Sequence, residues 1–388
     1  MTSESIPTGV LLQAARELRP TIEAAATRID NESRLPEELV RALMDAGLFR
    51  LYVPSAYGGG EVTLLEFAEI IEEIGRADAS TAWCLSQNAG ICRLSGFLPA
   101  ESAASIFGRS DLAMAWGQGR ARAVKVNGGY RLTGEWNFVS GIRHATWLGC
   151  QNVPVTDEIG EAVLDDKGEP QRRIFIFPVE DAEVDEVWDV SGLRGTGSDV
   201  FRVAELFIPE DRSPGLVPVQ PGALYIFNTT NIFSTGFASA ALGVARGTLD
   251  AFEELSMTKA PRGVNGVLRE QQTVQVHVGV AEATVRSARA YLHEVVANAW
   301  DEAVATREMT FDTRVQLRLA STFAIQKSAE VVEQLYKLAG TSAIARGGPI
   351  ERRLRDMHAI TQHIQGREDH FEAPGQYFLG LEPDQQWL

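Results

Sequence analysis

The sequence predicts an α+β protein in which a helical domain, a β domain and a helical bundle follow one another along the chain. Two changes in the spacing of the apolar residues support this order. Apolar residues recur at helical spacing over residues 1–110, alternate with polar ones over residues 111–215, and return to helical spacing over residues 216–388. A chain of 388 residues is also long enough for two or three subdomains.

The helical N-terminal part has one clear start signal and one breaker. Thr63 and Glu66 have the spacing of a capping box, and apolar residues follow on one face of the predicted helix until Gly75. Pro20 interrupts an earlier helical pattern, so we expect that helix to be kinked or split.

The central part reads as β structure. Tyr130, Leu132 and Trp136 alternate with polar residues, as in a half-buried strand. The preceding Asn127-Gly128 predicts a hairpin that pairs residues 121–126 with residues 129–139. Further strands are expected at 173–179 and 201–208, and we expect a β-barrel or sandwich.

The C-terminal part predicts long helices that pack along one another. Val274, Val278, Ala281 and Val285 begin a series of apolar steps of four and three residues that lasts for about three heptads. Other apolar series precede and follow it, and Gly340 closes the last of them. We therefore expect a helical bundle.

Composition and charge exclude several classes of partner. The formal net charge of −16 argues against nucleic acid and against an anionic membrane surface. The N-terminal residues lack a leader pattern, and no apolar run reaches the roughly 20 residues that a membrane span needs. Three cysteines without a Cys-x-x-Cys spacing favour a cytoplasmic protein with free thiols.

Common catalytic motifs are missing. Gly117-Gln-Gly119 and Gly192-Leu-Arg-Gly195 are glycine-rich, but neither lies between a strand and a helix in a βαβ unit, so no NAD(P)H site is expected. His358 and His363 are five residues apart, which on a helix turns them about 140° from each other. With no His-Glu-x-x-His and no cysteine cluster, we expect no metal site.

Four sequence segments occur in an order known from one protein family. They are Leu51-Tyr-Val-Pro54 with Tyr57-Gly-Gly59, the strand from Gly134 to Gly141, the turn from Gly192 to Ser198, and Arg355-Asp356. Through them the chain resembles the acyl-CoA dehydrogenase superfamily over nearly its whole length. The resemblance implies the same order of helical domain, β domain and four-helix bundle, and it implies a homotetramer.

The chain departs from the dehydrogenases of this superfamily at the catalytic base. Those enzymes remove a proton with a glutamate, whose commonest position corresponds to Ile364 and whose variant position corresponds to residues 232–234. Neither position has a carboxylate. The arginine that contacts the flavin pyrophosphate in the family is also displaced, with Lys259 and Arg262 nearby.

Two motifs are instead similar to the flavin-dependent monooxygenase branch. They are Trp136-Asn-Phe138-Val-Ser140-Gly141 and Arg355-Asp356-Met-His358-Ala-Ile-Thr-Gln-His363. The resemblance implies the oxygenase component of a two-component, group D hydroxylase. Such a protein takes reduced FMN or FAD from a separate NAD(P)H:flavin reductase and forms a C4a-(hydro)peroxyflavin with O2. It then hydroxylates an aromatic or heteroaromatic small molecule.

The first of these motifs suggests a wall for the flavin. In an unbroken strand Trp136, Phe138 and Ser140 face the same side, and two aromatic rings with one hydroxyl suit a flat cofactor. Packing of both rings in the core of the β domain is the alternative. The resemblance adds further residues to the cofactor site, namely Trp116, Gly117, Val139, Arg262 and His358.

The second motif supplies a candidate catalytic group. On a helix His363 shares a face with Asp356 and Ile360, and a neutral imidazole there can act as a base or hydrogen-bond a flavin peroxide. Ser140 is the second catalytic candidate, at the N5/C4a edge of the flavin. Trp83, Asn88, Tyr225 and Phe233 are candidates for the substrate side, and core packing explains them equally well.

Two other functions remain open for the sequence. An FAD-dependent dehydrogenase or oxidase related to the acyl-CoA dehydrogenases predicts tightly bound FAD that is bleached anaerobically by an oxidisable substrate. A non-catalytic flavin-binding scaffold predicts flavin binding without product.

Overall fold

The computed structural model describes residues 9–388. Residues 1–8, part of the N-terminal segment without a leader pattern, lie outside this range. Over this range the chain forms a helical part, a β part and a second helical part, which confirms the predicted α+β class. The helices are α1 (Val10–Glu32), α2 (Glu37–Asp45), α3 (Leu64–Ala77), α4 (Ala79–Cys92), α5 (Ala100–Phe107), α6 (Thr229–Thr258), α7 (Gln272–Thr306), α8 (Phe311–Ala339), α9 (Pro349–Gln362) and α10 (Glu372–Phe378). The strands are β1 (Met114–Val126), β2 (Gly129–Val139), β3 (Trp147–Thr156), β4 (Arg172–Pro178), β5 (Glu183–Asp185) and β6 (Asp199–Pro209).

The helices of the N-terminal part follow the predicted signals with two differences. Thr63 caps α3 by accepting a hydrogen bond from the backbone N–H of Glu66, but the Glu66 side chain bonds to the backbone N–H of Gly9 and does not close the box. α3 continues past Gly75 to Ala77. α1 also runs through Pro20 as one helix, so the expected split is absent.

The β part is one six-stranded sheet in the order β4-β3-β1-β2-β6-β5. The predicted hairpin of β1 and β2 is confirmed, with Val126 paired to Gly129. Phe177 of β4 and Phe201 of β6 are separated by three strands in the sheet, yet their ring centroids lie 5.9 Å apart. The sheet is therefore folded over on itself and encloses its own apolar core, as a sandwich does.

The C-terminal helices α6, α7, α8 and α9 pack together as predicted, and α6 also contacts α3 and α4 of the N-terminal part. This helix is buried on nearly all sides, because small residues let its neighbours approach closely. A Cβ at Gly243 or Gly75 would clash with the backbone of the facing helix. α6 thus joins the two helical parts, while the domain limits at residues 110 and 215 stay a prediction. Among residues 9–388, no helix has the length and apolar character needed to cross a membrane.

Candidate functional site

Four aromatic side chains meet where α4, α6 and β1 come together. Trp83 of α4 stacks on Phe237 of α6 with centroids 3.9 Å apart and planes 8° apart. Trp116 of β1 lies 5.0 Å from Phe233 of α6, and Phe233 lies 5.7 Å from Phe237. Gly90 makes room for this arrangement, because a Cβ there would clash with the ring of Phe233. We refer to Trp83, Trp116, Phe233 and Phe237 as the aromatic cluster.

A chain of hydrogen bonds leads from the aromatic cluster into the β domain. The indole N–H of Trp83 donates to Oγ of Ser140 at 3.2 Å. Ser140 Oγ lies 2.8 Å from Ser198 Oγ, which lies 2.7 Å from Oγ1 of Thr196. Thr196 donates in turn to the carbonyl oxygen of Leu193 at 2.8 Å. All three hydroxyl groups are buried.

The two ends of this chain fix the position of every proton in it. An indole N–H can only donate and a carbonyl oxygen can only accept, and each hydroxyl carries one hydrogen. Ser140 therefore donates to Ser198, and Ser198 donates to Thr196. The oxygen of Ser140 keeps one unused lone pair and no unused proton. It can accept one further hydrogen bond but cannot donate one.

β2, which ends one residue before Ser140, is irregular, and the predicted shared face of Trp136, Phe138 and Ser140 is wrong. The register of β2 shifts between Trp136 and Val139, and Phe138 has a φ of 54°. This bulge turns Phe138 outward, where it is 64% exposed and lies edge-on to Trp188. Trp136 is instead buried in the β-domain core against Phe201. The core packing that the sequence left open thus holds for Trp136.

His363 lies beside the aromatic cluster, but not on the predicted helix. α9 ends at Gln362, and His363 has extended backbone angles. Its ring centroid lies 4.5 Å from that of Phe237 and 5.2 Å from that of Trp83, both in edge-on geometry. Removal from water by these rings lowers the pKa of His363 to about 4, so the imidazole is neutral at neutral pH. The side chain is half-buried, so it remains within reach of solvent and ligands.

A backbone contact decides which nitrogen of His363 carries the hydrogen. The N–H of Gln365 donates to Nδ1 of His363 at 3.2 Å. Since Nδ1 accepts, the neutral ring carries its hydrogen on Nε2. His363 is therefore arranged as a hydrogen-bond donor through Nε2 rather than as a base.

The Arg355-Asp356 pair ties α9 to the glycine-rich turn. The Asp356 carboxylate accepts the backbone N–H of Leu193 at 2.7 Å, and Arg355 binds both carboxylate oxygens of Asp30 at 3.0 Å. Leu193 has a φ of 52°, and a Cβ at Gly192 would clash with the backbone of Arg355. Burial, together with the charge of Asp78, raises the pKa of Asp356 to about 7. The pair positions the turn and does not face the aromatic cluster.

Three predicted cofactor residues adjoin one another on β1 and β2. Trp116 is half-buried and donates its indole N–H to Gln87 at 2.6 Å. Gly117 allows close approach of the strands, because a Cβ there would clash with the carbonyl of Asn137 and the side chain of Val139. These residues stay candidates for the cofactor site.

Other predicted site residues lie away from the cluster. His358 is exposed on an open cleft of about 400 Å³, 3.8 Å from Glu333 of α8, and Arg262 is exposed in the loop after α6. Asn88 is structural, because its amide nitrogen donates to the carbonyl of Phe49 and its oxygen accepts the N–H of Met114. Tyr225, in the segment before α6, packs against Phe97 beyond the C-terminal end of α4 and is not part of the aromatic cluster.

The sequence interpretation missed three contributors to this site. Phe237 lies one turn after Phe233 on α6, and that spacing would have found it. Ser198 and Thr196 belong to the glycine-rich turn, but no local pattern shows that the turn reaches Ser140. Among residues 9–388, no group of His, Cys, Asp and Glu side chains is arranged to hold a metal ion.

Comparison with known proteins places this arrangement in a family. The model for "Acyl-CoA dehydrogenase, N-terminal domain" matches residues 10–97, and the model for "Acyl-CoA dehydrogenase, C-terminal domain" matches residues 235–368. An indole-3-acetate monooxygenase of Pseudomonas putida is 30% identical over 363 residues, which cover 91% of this chain and 90% of that protein.

Two further comparisons agree with this placement. The oxygenase component of an FADH2-dependent resorcinol hydroxylase from Rhizobium sp. strain MTP-10005 is 28% identical, with 94% of this chain and 92% of that protein covered. The crystal structure of 3-HSA hydroxylase from Rhodococcus sp. RHA1 superimposes with a TM-score of 0.88 at 25% identity, covering 98% of this chain and all of that one. The chain belongs to the acyl-CoA dehydrogenase superfamily and, within it, to the oxygenase components of flavin-dependent monooxygenases.

Proposed function

We propose that this protein binds reduced FMN or FAD with the N5 edge of the flavin at Ser140, and hydroxylates an aromatic small molecule held by the aromatic cluster. The observation that carries this proposal is the fixed direction of the hydrogen bonds from Trp83 to Leu193. It gives Ser140 one free acceptor position in a buried setting. A reduced flavin has a hydrogen on N5 to donate there, whereas an oxidised flavin does not.

The residues around Ser140 fit a flavin in other respects. Trp83 and Phe237 form a buried, stacked pair of apolar rings next to Ser140, and the edge of His363 beside them remains accessible. Reduced flavin supplies the two electrons for O2 activation, so that one oxygen atom enters the substrate and the other leaves as water. Nε2–H of His363 would donate a hydrogen bond to the oxygen that is transferred, and the cluster would exclude water from it.

The substrate and the electron donor are proposed from the relatives. The P. putida relative is named for indole-3-acetate and the Rhizobium relative for resorcinol, both aromatic compounds. The second name also specifies FADH2 and an oxygenase component. We infer that a separate NAD(P)H:flavin reductase supplies reduced flavin to this chain by diffusion.

We also propose a cytoplasmic homotetramer. Its three cysteines are buried free thiols, as is usual in a reducing compartment. Val276 and Val280, one turn apart on α7, are exposed by 64% and 53% and offer an apolar strip for contact between bundles. Light scattering coupled to size exclusion should give four times the 42.4 kDa chain mass; a monomer would contradict the assembly.

The oxygen reaction can be tested without any reductase. The protein is mixed anaerobically with reduced FMN or FADH2 and then with oxygenated buffer in a stopped-flow instrument, and flavin reoxidation is followed. We expect much slower reoxidation than for free reduced flavin, and oxygenated product when indole-3-acetate or resorcinol is present. Reoxidation at the rate of free flavin, without product, would refute the proposal.

Two variants test the assigned residues. Ser140→Ala removes the acceptor for N5–H, and His363→Gln replaces the imidazole donor by an amide. We expect each to reduce coupled hydroxylation by about tenfold or more, as expected for loss of a positioned hydrogen bond. Ser105→Ala and His277→Gln, both outside the site, serve as matched controls. Full coupled activity in both site variants would disprove the assignment.

A further inference from the structure

A buried arginine lies just beyond α4 without any charged or polar partner. Arg93 begins the turn after α4 and is only 7% exposed. Among the described residues, its side chain makes no ion pair and no hydrogen bond, and its Nε is fully buried. The guanidinium carbon lies 5.0 Å from the centroid of the Phe97 ring. Burial lowers the pKa of Arg93 to about 10, with no carboxylate opposing the effect.

Two phenol groups near Arg93 are also without partners. Tyr52 and Tyr225 both lie close enough to interact electrostatically with the guanidinium. Their hydroxyl groups are buried and have no hydrogen-bond partner among the described residues. An uncompensated buried charge and two unpaired hydroxyls are each costly, and such groups are normally paired. Three donors around one place therefore point to an acceptor that the chain itself does not supply.

This donor group adjoins the aromatic cluster. Arg93 follows Gly90 by three residues, about 4.5 Å along the helix axis, and Gly90 is the residue against which Phe233 packs. Tyr225 precedes α6 and packs against Gly96 in the same way. A molecule whose ring lies against Phe233 can thus extend a polar group toward Arg93.

The charge of the group indicates what it binds. One guanidinium and two phenol donors match a single negative charge, and the planar fork of arginine suits a carboxylate. Burial and the negative charge of Glu61 raise the pKa of Tyr225, but the Glu61 carboxylate is held by the N–H and hydroxyl of Ser55 at 3.0 and 2.7 Å. A phosphate dianion would require more positive charge than this setting offers.

We propose that Arg93, with the hydroxyls of Tyr52 and Tyr225, binds the carboxylate of an aromatic carboxylic acid that is the substrate. The proposal rests on the hydroxylase function proposed above and narrows its substrate class. It assigns the ring of the acid to the Phe233 side of the aromatic cluster and the carboxylate to the end of α4.

Paired ligands test the charge requirement. Titration calorimetry on the FMN-loaded protein compares indole-3-acetate with indole-3-acetamide, and 4-hydroxyphenylacetate with its amide. We expect each acid to bind at least tenfold more tightly than its amide. Arg93→Met should weaken the acids by about 10- to 100-fold, which is typical for loss of a charged hydrogen bond, and the amides by less than about threefold.

Controls separate this effect from general damage. Arg314→Met removes another arginine that lies over a phenylalanine ring, Phe311, at 5.3 Å in the C-terminal bundle. It should leave acid binding unchanged. Tyr225→Phe deletes only a hydroxyl and should weaken the acids by about three- to tenfold, so it tests the site even if Arg93→Met does not fold.

Several results would overturn the inference, and none of them is the failure of the proposed function. Equal affinity of wild type for acids and amides would do so, as would binding of neither. Equal loss of acid and amide on Arg93→Met, or weakened binding of FMN instead, would also do so. Slow flavin reoxidation by the wild type without a preference for acids would refute the acid site and still support the hydroxylase function. A preference for acids together with reoxidation at the rate of free flavin would support the acid site and refute the hydroxylase function.

Discussion

Buried polar groups are hydrogen-bonded near Trp83, in the N-terminal half of α4, but not near Arg93, just after its C-terminal end. In the chain of hydrogen bonds that starts at Trp83, every donor has an acceptor, and the chain ends on a backbone carbonyl. At Arg93, ten residues later, a guanidinium and the hydroxyls of Tyr52 and Tyr225 are buried and have no hydrogen-bond partner within residues 9–388. Both ends are enclosed by aromatic rings, so the difference lies in hydrogen bonding and not in burial.

This difference distinguishes a rigid site from one that is incomplete without its ligand. A satisfied network holds its members in one geometry and presents a defined acceptor, which suits a cofactor that must be placed accurately. An unsatisfied group stores an unfavourable free energy that a complementary ligand relieves on binding. Substitutions near Trp83 should therefore change stability and the placement of the cofactor, whereas substitutions at Arg93 should change the binding of the substrate.

The largest effect on stability is expected for Trp83→Ala. It removes the stack on Phe237 and the N–H donor to Ser140, and large aromatic truncations in a core cost about 3 to 5 kcal/mol in the free energy of unfolding. Urea unfolding at pH 7 measures this loss. Trp83→Phe keeps a ring and should lose only about 1 to 2 kcal/mol. Equal losses in both variants would show that the ring stack contributes little.

A smaller effect is expected from pH at the same end of α4. His363 stays neutral in the folded protein down to a pKa of about 4, whereas in the unfolded chain it is protonated below its ordinary value of 6.5. The unfolded state thus binds more protons between these limits, and the free energy of unfolding falls as pH drops from 6.5 toward 4. In His363→Gln, this decrease in the free energy of unfolding should be smaller by on the order of 2 kcal/mol. An unchanged pH dependence, equal to that of His277→Gln, would contradict the shifted pKa.

Ser198→Ala should disturb the direction of the hydrogen bonds at a cost of about 1 kcal/mol. Ser140 then loses its acceptor and can turn its proton toward the cofactor. The preference for reduced over oxidised FMN should fall by about five- to tenfold, which moves the midpoint potential of the bound flavin down by roughly 20 to 30 mV. Ser105→Ala is the matched control. Binding of both redox states that is unaltered by Ser198→Ala would refute the assigned proton positions.

The smallest effect on stability is expected at the other end of α4. Tyr52→Phe removes a buried hydroxyl that has no partner, so the free energy of unfolding should stay within about 0.5 kcal/mol of wild type or rise. The same variant should weaken binding of an aromatic acid. A destabilisation of about 2 kcal/mol or more would show that the hydroxyl is satisfied in the native protein.

Much of the fold could be predicted from local patterns. The capping residue Thr63, the Asn127-Gly128 hairpin and the apolar steps of α7 each depend on residues that are close in sequence, and each was found in the structure. Pro20 was expected to kink or split its helix, and the split is absent, because α1 packs on α3 as one continuous helix.

The site could be predicted only in part, because its geometry depends on distant segments. Trp83, Ser140, Phe233 and His363 do come together. The bulge at Phe138 reverses the alternation on which the flavin wall was based, and a single extra residue in a strand leaves no periodic trace. The proton positions depend on Ser198 and Thr196, whose contact with Ser140 exists only in the folded chain.

The contact between Asp356 and the N–H of Leu193 connects α9 to the series of hydrogen bonds that orients Ser140. The carbonyl of Leu193 is the last acceptor in the series that begins at Trp83, and α9 holds that residue in place across 163 positions of sequence. The orientation of the Ser140 hydroxyl, at the proposed flavin site, thus depends on a helix in another part of the fold. A serine introduced alone into a dehydrogenase of this superfamily would therefore lack the hydrogen-bond partners that orient its hydroxyl.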